Sequence, residues 1–305
     1  MKRKINLYWY KHKEGHGNFG DELNPYIVEK LTGKKVKYIN INYFGLPVVI
    51  FLKTLTYQLL KTGLSFFDYL ENLYFYFIRR PKVLVGIGSV LQSVKTNNCI
   101  VWGAGIIESS ATFGEADFRA VRGKKTQQRL RELGYKVPEA IGDPAILLPL
   151  LYQPKVKKKY KMGIIPHFIH FQEMKTLATD EILVINLLEP IEKVIDQINS
   201  CEFTFSSSLH GIIVSHAYGV KSVWITNELN KLSGDDIKFA DYFSSVNIVP
   251  YKPLNMDLIS KHFEENLKLL QVINESSILP VQSSLNKIQK DLIKSFPFET
   301  FFYLK

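Results

Sequence analysis

The segment CEFTFSSSLHGIIVSHAYGV, from Cys201 to Val220, places three hydroxyls and an imidazole at one strand-to-helix junction. Its apolar start predicts a strand ending at Phe205, and Leu209 opens a helix. The unpaired N–H groups and positive dipole end of such a helix can hold an anion. Ser206, Ser207 and Ser208 add hydroxyl donors there, and His210, in the first turn, can exchange a proton near neutral pH. An anion grip and an acid/base group therefore adjoin. Serines also cap helices for purely structural reasons, so the segment alone leaves both readings open. His216 lies six residues beyond His210 and on a different helix face, which argues against a two-histidine metal site.

Other candidates sit at further strand ends. Arg122, in RAVRGKKTQ, follows a strand and precedes a helix, where its planar guanidinium could clamp a carboxylate or phosphate. A cation opposes the dipole at a helix start, which points to an anion held there. His167, in IIPHFIH with His170 close by, is a second donor-side candidate. On the acceptor side, the loop HGNFGDE offers Asn18, Asp21 and Glu22 to sugar hydroxyls. GIGSV and WGAGI offer Gly88, Ser89, Gly103 and Gly105 for close backbone approach. Turn formation and helix capping account for each of these loops equally well when it is taken singly.

The elements that must position these residues alternate. Ile5–Tyr10 is a predicted strand, followed by the turn Gly15 to Gly20 and a helix reading DELNPYIVEKLTG, with Asp21 or Asn24 as cap, Pro25 in the first turn and Gly33 as stop. Further strands are expected at Val36–Ile41, Lys82–Ile87, Cys99–Trp102 and Phe118–Val121, with a helix over Lys124–Leu133. Tyr43 to Arg80, rich in Phe, Tyr and Leu, reads as an insertion of one or two amphipathic helices. The basic run YQPKVKKKYK marks a linker. After it the pattern restarts, with strands at Met162–Pro166, Ile182–Asn186, Phe203–Phe205 and Ser222–Ile225 and helices at Pro190–Asn199 and Leu209–Tyr218. Strands alternating with helices predict βαβ units and parallel sheets. The expected class is α/β: two Rossmann-like domains facing a cleft, residues 1–150 and 162–305 about a 151–161 linker, with a mainly helical C-terminal segment from Asp257 to Ile293.

Composition narrows the partners. Lys and Arg number 39 against 29 Asp and Glu, a net charge of +10 that favours anionic partners. The lysines are spread without an aromatic-basic motif, which argues against nucleic acid. Two cysteines with no Cys/His cluster fit a reducing compartment and no structural zinc. The N-terminal apolar run is too short for a signal core, and Lys53, Lys61, Asp68 and Glu71 interrupt the longest apolar stretches, so a cytoplasmic protein without a membrane span is expected.

GNFGDELNPYIVEKLTGK, VGIGSVL, VWGAGI, AVRGKKTQ, GDPAILLP, GIIPH and FSSSLHGIIVSHAYG, in that order, resemble the polysaccharide pyruvyl transferase family from about residue 7 to residue 225. The resemblance implies a fold similar to GT-B glycosyltransferases and phosphoenolpyruvate as donor. It also implies transfer of the enolpyruvyl group to a sugar of a cell-surface polysaccharide precursor, with a ketal formed, phosphate released and no cofactor or metal required. The family's catalytic histidine matches His210, and a donor-binding arginine matches Arg122. The chain departs from the family at Ser208, where many members carry arginine, so other groups must meet part of the donor's charge. A lipid-diphosphate-linked acceptor, peripheral contact with an anionic membrane at its inner face, and a homodimer complete the expected partners. The rival readings are a nucleotide-sugar glycosyltransferase, which would use the same anion site, and a non-catalytic nucleic-acid-binding module.

Overall fold

A computed structural model describes residues 4–11, 18–226, 235–271 and 277–301. Gly15, His16 and Gly17 lie outside the described residues. The strands are β1 Ile5–Tyr8, β2 Val36–Tyr38, β3 Val83–Val85, β4 Cys99–Trp102, β5 Asp117–Val121, β6 Ala140–Ile141, β7 Tyr160–Ile165, β8 Ile182–Val184, β9 Cys201–Ser206, β10 Lys221–Thr226 and β11 Leu254–Asn255. The helices are α1 Phe19–Thr32, α2 Val48–Lys61, α3 Phe66–Phe77, α4 Lys124–Glu132, α5 Leu148–Leu151, α6 Phe171–Met174, α7 Ile191–Asn199, α8 Leu209–Ala217, α9 Ile237–Ser245, α10 Phe263–Gln271 and α11 Gln282–Ser295.

The strands form two sheets, ordered β2-β1-β3-β4-β5-β6 and β11-β10-β9-β7-β8, and every pairing is parallel. Parallel neighbours need crossovers, and the helices that supply them cover the sheet faces, so the strands are buried apolar runs such as VLV in β3 and CIVW in β4. This is an α/β fold consistent with two Rossmann-like domains. One apolar cluster continues across both halves, joining Leu7, Leu23 and Trp102 to Ile165, Ile195 and Ile212. From residue 152 to residue 159 the chain has no regular element, and β7 begins at Tyr160.

Helix α1 begins earlier than its sequence predicts. Asn18, not Asp21 or Asn24, is the N-cap, accepting a hydrogen bond from Gly20 N at 2.8 Å. Pro25 consequently lies inside the helix and cannot donate to the Asp21 carbonyl. The Asn24 amide does so in its place, at 3.1 Å. Gly33 ends the helix in the left-handed conformation, as expected. The C-terminal helix α11 returns to the first sheet: Trp102 Nε1 donates to the Leu292 carbonyl at 2.9 Å, and Phe296 packs on the Trp102 ring.

Residues 48–77 form the two helices expected of the insertion. Phe51 and Leu55 of α2 are buried against the first sheet, and α3 has no fully buried side chain. Cys99 and Cys201 are free and buried, and burial pushes both thiols up to about 12. Among the described residues no helix is long and apolar enough to cross a membrane.

Candidate functional site

A cavity of about 450 Å³ opens where strand ends of both sheets meet. Its wall takes Tyr10 from beyond β1, Gly88 to Val90 with Gln92 and Ser93 from beyond β3, Ile107 from beyond β4 and His167 from beyond β7. The first residues of three helices complete it: Asn18 and Asp21 of α1, Ser208 to His210 of α8, and Lys238 of α9. Carboxyl ends of parallel strands and N-termini of helices thus face one space. Each such N-terminus brings unpaired N–H groups and partial positive charge, which favours an anionic ligand.

His210 stands at the centre of the titratable groups. Its side chain is 12% exposed, and its Nε2 lies 3.6 Å from Oδ2 of Asp143, which is fully buried. The other Asp143 oxygen accepts from Ala145 N at 3.0 Å, so the turn after β6 fixes the carboxylate. At that separation the two atoms face each other without a hydrogen bond, and neither has another hydrogen-bond partner among the described residues. On its other side the ring packs against the first turn of α1. A Cβ at Gly20 would fall 1.9 Å from His210 Nδ1, so only glycine lets helix and imidazole come this close.

Asp21, also buried, projects from that same turn. Burial pushes its carboxyl up to about 7, against the pull of His210. A carboxyl in a substrate-sized cavity with this affinity for protons can serve as acid or base near neutrality. Lys238 brings the opposite charge. Burial first, and then repulsion by Arg122, pull its ammonium down to about 8. An anionic ligand beside it would favour the charged form.

The three serines divide the local work. Ser206 is internal to its turn, its hydroxyl bonding the Ile165 and Ser208 carbonyls and accepting from Ser208 N. Ser207 Oγ accepts from His167 N at 2.9 Å and ties the two strand-end loops together. Ser208 is the N-cap of α8, yet its side chain makes no capping bond and lines the cavity. Of the three serines it alone lines the cavity.

Arg122 requires a correction. The anion that a cation at a helix start demands is internal: Arg122 Nε and the buried Asp241 carboxylate of α9 pair at 3.0 Å. The guanidinium is wholly buried and also donates to Ser89 Oγ and the Ile106 carbonyl, each at 2.6 Å. Gly105 leaves the room it occupies. Arg122 therefore stands behind the cavity wall and positions two loops that form it. Asp241 also accepts from Thr126 N and Oγ1, capping α4 from across the molecule.

Of the predicted acceptor-side residues, Asn18, Asp21, Gly88 and Ser89 line the cavity, whereas Glu22, Gly103 and Gly105 do not. Glu22 is on another face of α1, and Gly103, at φ 96°, packs against the Pro144 ring. Asn24 holds the β3 loop in place by exchanging hydrogen bonds with Ile87 N and O, at 2.7 and 3.1 Å. His216 is fully buried between the Tyr242 hydroxyl and the Ile278 carbonyl, which places it in the core, away from the wall. Sequence reasoning missed Asp143, Lys238, Gln92 and Asp241. Asp143 had a signal in GDPAILLP, where the chain turns sharply after a strand; the others had none beyond their charge or polarity.

The family model described as polysaccharide pyruvyl transferase matches residues 18–228. An uncharacterized protein of Acanthamoeba polyphaga mimivirus is 30% identical over 239 residues, covering 76% of this chain and 71% of its own length.

Proposed function

The chain belongs to the polysaccharide pyruvyl transferase family, and from that premise we propose that it moves the enolpyruvyl group of phosphoenolpyruvate onto a sugar of a cell-surface polysaccharide precursor. The observation that carries the reading is His210, backed by Asp143 and set among three helix N-termini and Lys238 in a single cavity.

The donor carries a carboxylate and a phosphate, and the N–H groups of α8, the Ser208 hydroxyl and Lys238 supply donors and positive charge for both. Lys238 meets the charge that Ser208, standing where many family members carry arginine, leaves unmet. His210, its ring facing the buried Asp143 carboxylate, delivers a proton to the methylene carbon, which becomes a methyl group. The adjacent carbon takes on oxocarbenium character and is attacked by a sugar hydroxyl, whose proton passes to Asp21. The carbon–oxygen bond to phosphate then breaks. A second hydroxyl of the same sugar closes the ketal, and inorganic phosphate leaves with the proton balance completed by that hydroxyl. Asn18 and Ser89 are positioned to orient the acceptor.

Measuring phosphate release from phosphoenolpyruvate with and without candidate oligosaccharides tests the reading. Acceptor-dependent release of inorganic phosphate is expected. Release of nucleoside diphosphate from a nucleotide sugar, with phosphoenolpyruvate untouched, would overturn it in favour of glycosyl transfer.

A further inference from the structure

Eleven of the twenty large apolar side chains exposed among the described residues fall between Val48 and Ile78. A surface that concentrates them so strongly marks an interaction site. The distribution follows from how the helical pair packs. Helix α2 turns Phe51 and Leu55 inward, and Phe51 stacks on Tyr76 of α3 with ring centroids 3.9 Å apart. Leu73 and Tyr76 lean on the core from α3. The stripe Phe66, Leu70, Tyr74, Phe77, at helical spacing on the same helix, is left facing out. At the turn between the helices Leu60 is 71% exposed and Phe67 83%.

Charge decides what this face meets. Lys53, Lys61, Arg79 and Arg80 are exposed along it, at the turn, mid-helix and at the base. Asp68 is the one exposed carboxylate of the stretch, and Glu71 is paired with Lys37. A second copy of the chain docking here about a two-fold axis would gather two sets of these cations, with one exposed carboxylate each, into one interface. An anionic bilayer surface satisfies both features, since apolar burial and attraction to anionic lipid add at the interface.

We propose that the pair α2–α3 is a membrane-docking element that lays its outer face into the interface of an anionic lipid bilayer. The inference stands on this surface alone and does not depend on the transfer reaction.

The test is sedimentation of the full chain with vesicles of phosphatidylcholine alone and of phosphatidylcholine mixed with phosphatidylglycerol. Its partners are the variants Phe66→Ser/Phe67→Ser and Arg79→Glu/Arg80→Glu, whose exposed positions leave the fold, checked by circular dichroism, unchanged. Wild type is expected to sediment with the anionic vesicles and to be released by salt. The phenylalanine variant should bind at least about tenfold more weakly, and the arginine variant should lose its preference for anionic lipid. No sedimentation of wild type at low salt, or equal binding by both variants, would overturn the proposal. So would a lipid-free dimer that the phenylalanine variant makes monomeric, because a second copy would then cover this face.

Discussion

At the residue scale three side chains, His210, Asp21 and Lys238, line one space, and Asp143 is buried behind the imidazole. His210→Ala should lower kcat by about 100-fold or more, the usual loss for an acid/base group, with little change in melting temperature. Gly20→Ala should do nearly as much without touching the imidazole itself, because its Cβ would claim the place of Nδ1. A wild-type rate in Gly20→Ala, read beside an inactive His210→Ala, would show that ring placement is not limiting. The pH profile carries a second prediction. Asp21 must be a carboxylate to accept the hydroxyl proton, so kcat/KM should rise as pH passes through about 7, and Asp21→Asn should lose that limb. Lys238 loses its charge as pH passes through about 8, so the donor's KM should climb above that point and stay flat in Lys238→Arg. His210 and the serine turn were legible in sequence because strand, turn and helix start are local. Asp143 was not, since its meeting with His210 joins residues far apart in the chain. Burial likewise gives Asp21 and Lys238 their proton affinities, and no local pattern announces it.

At the element scale the informative misreading is the helix start after β5. The conflict between a cation and the helix dipole at Arg122 was visible in the sequence, and its resolution by Asp241 was not, because α9 was not predicted. That helix has its own signal, with Phe239, Tyr242 and Phe243 at helical spacing and buried. Arg122→Ala would strand the Asp241 carboxylate in the core, and a loss of about 3–5 kcal/mol in denaturant unfolding is expected. Unchanged stability, with only the donor's KM raised, would return Arg122 to the ligand. In α8, burial pulls His216 down to about 4 from the ordinary 6.5. The folded state holds it neutral while the unfolded chain takes up a proton. Stability present above pH 6.5 should therefore be lost as pH falls toward about 4, by roughly 2–3 kcal/mol, and less so in His216→Gln.

At the scale of the whole molecule, two parallel sheets share one apolar core and bring their strand ends to one cavity, where both halves supply functional groups. The alternation of strands and helices made the class legible, since apolar runs ending at glycine need no partner to be recognised. The return of α11 to Trp102 was not legible, because an amphipathic helix does not record which sheet it covers. On the proposed reading the cavity joins a proton donor to an anion site, and His210 protonates carbon before a sugar hydroxyl adds. Running the reaction in deuterium oxide with phosphoenolpyruvate and an acceptor oligosaccharide, and examining the product by mass spectrometry and NMR, tests this most directly. The account predicts an acceptor that has gained one pyruvyl ketal whose methyl group carries a single deuterium, and no such product from His210→Ala. An acceptor without the ketal, a ketal methyl without deuterium, or labelled product from His210→Ala at the wild-type rate would contradict it.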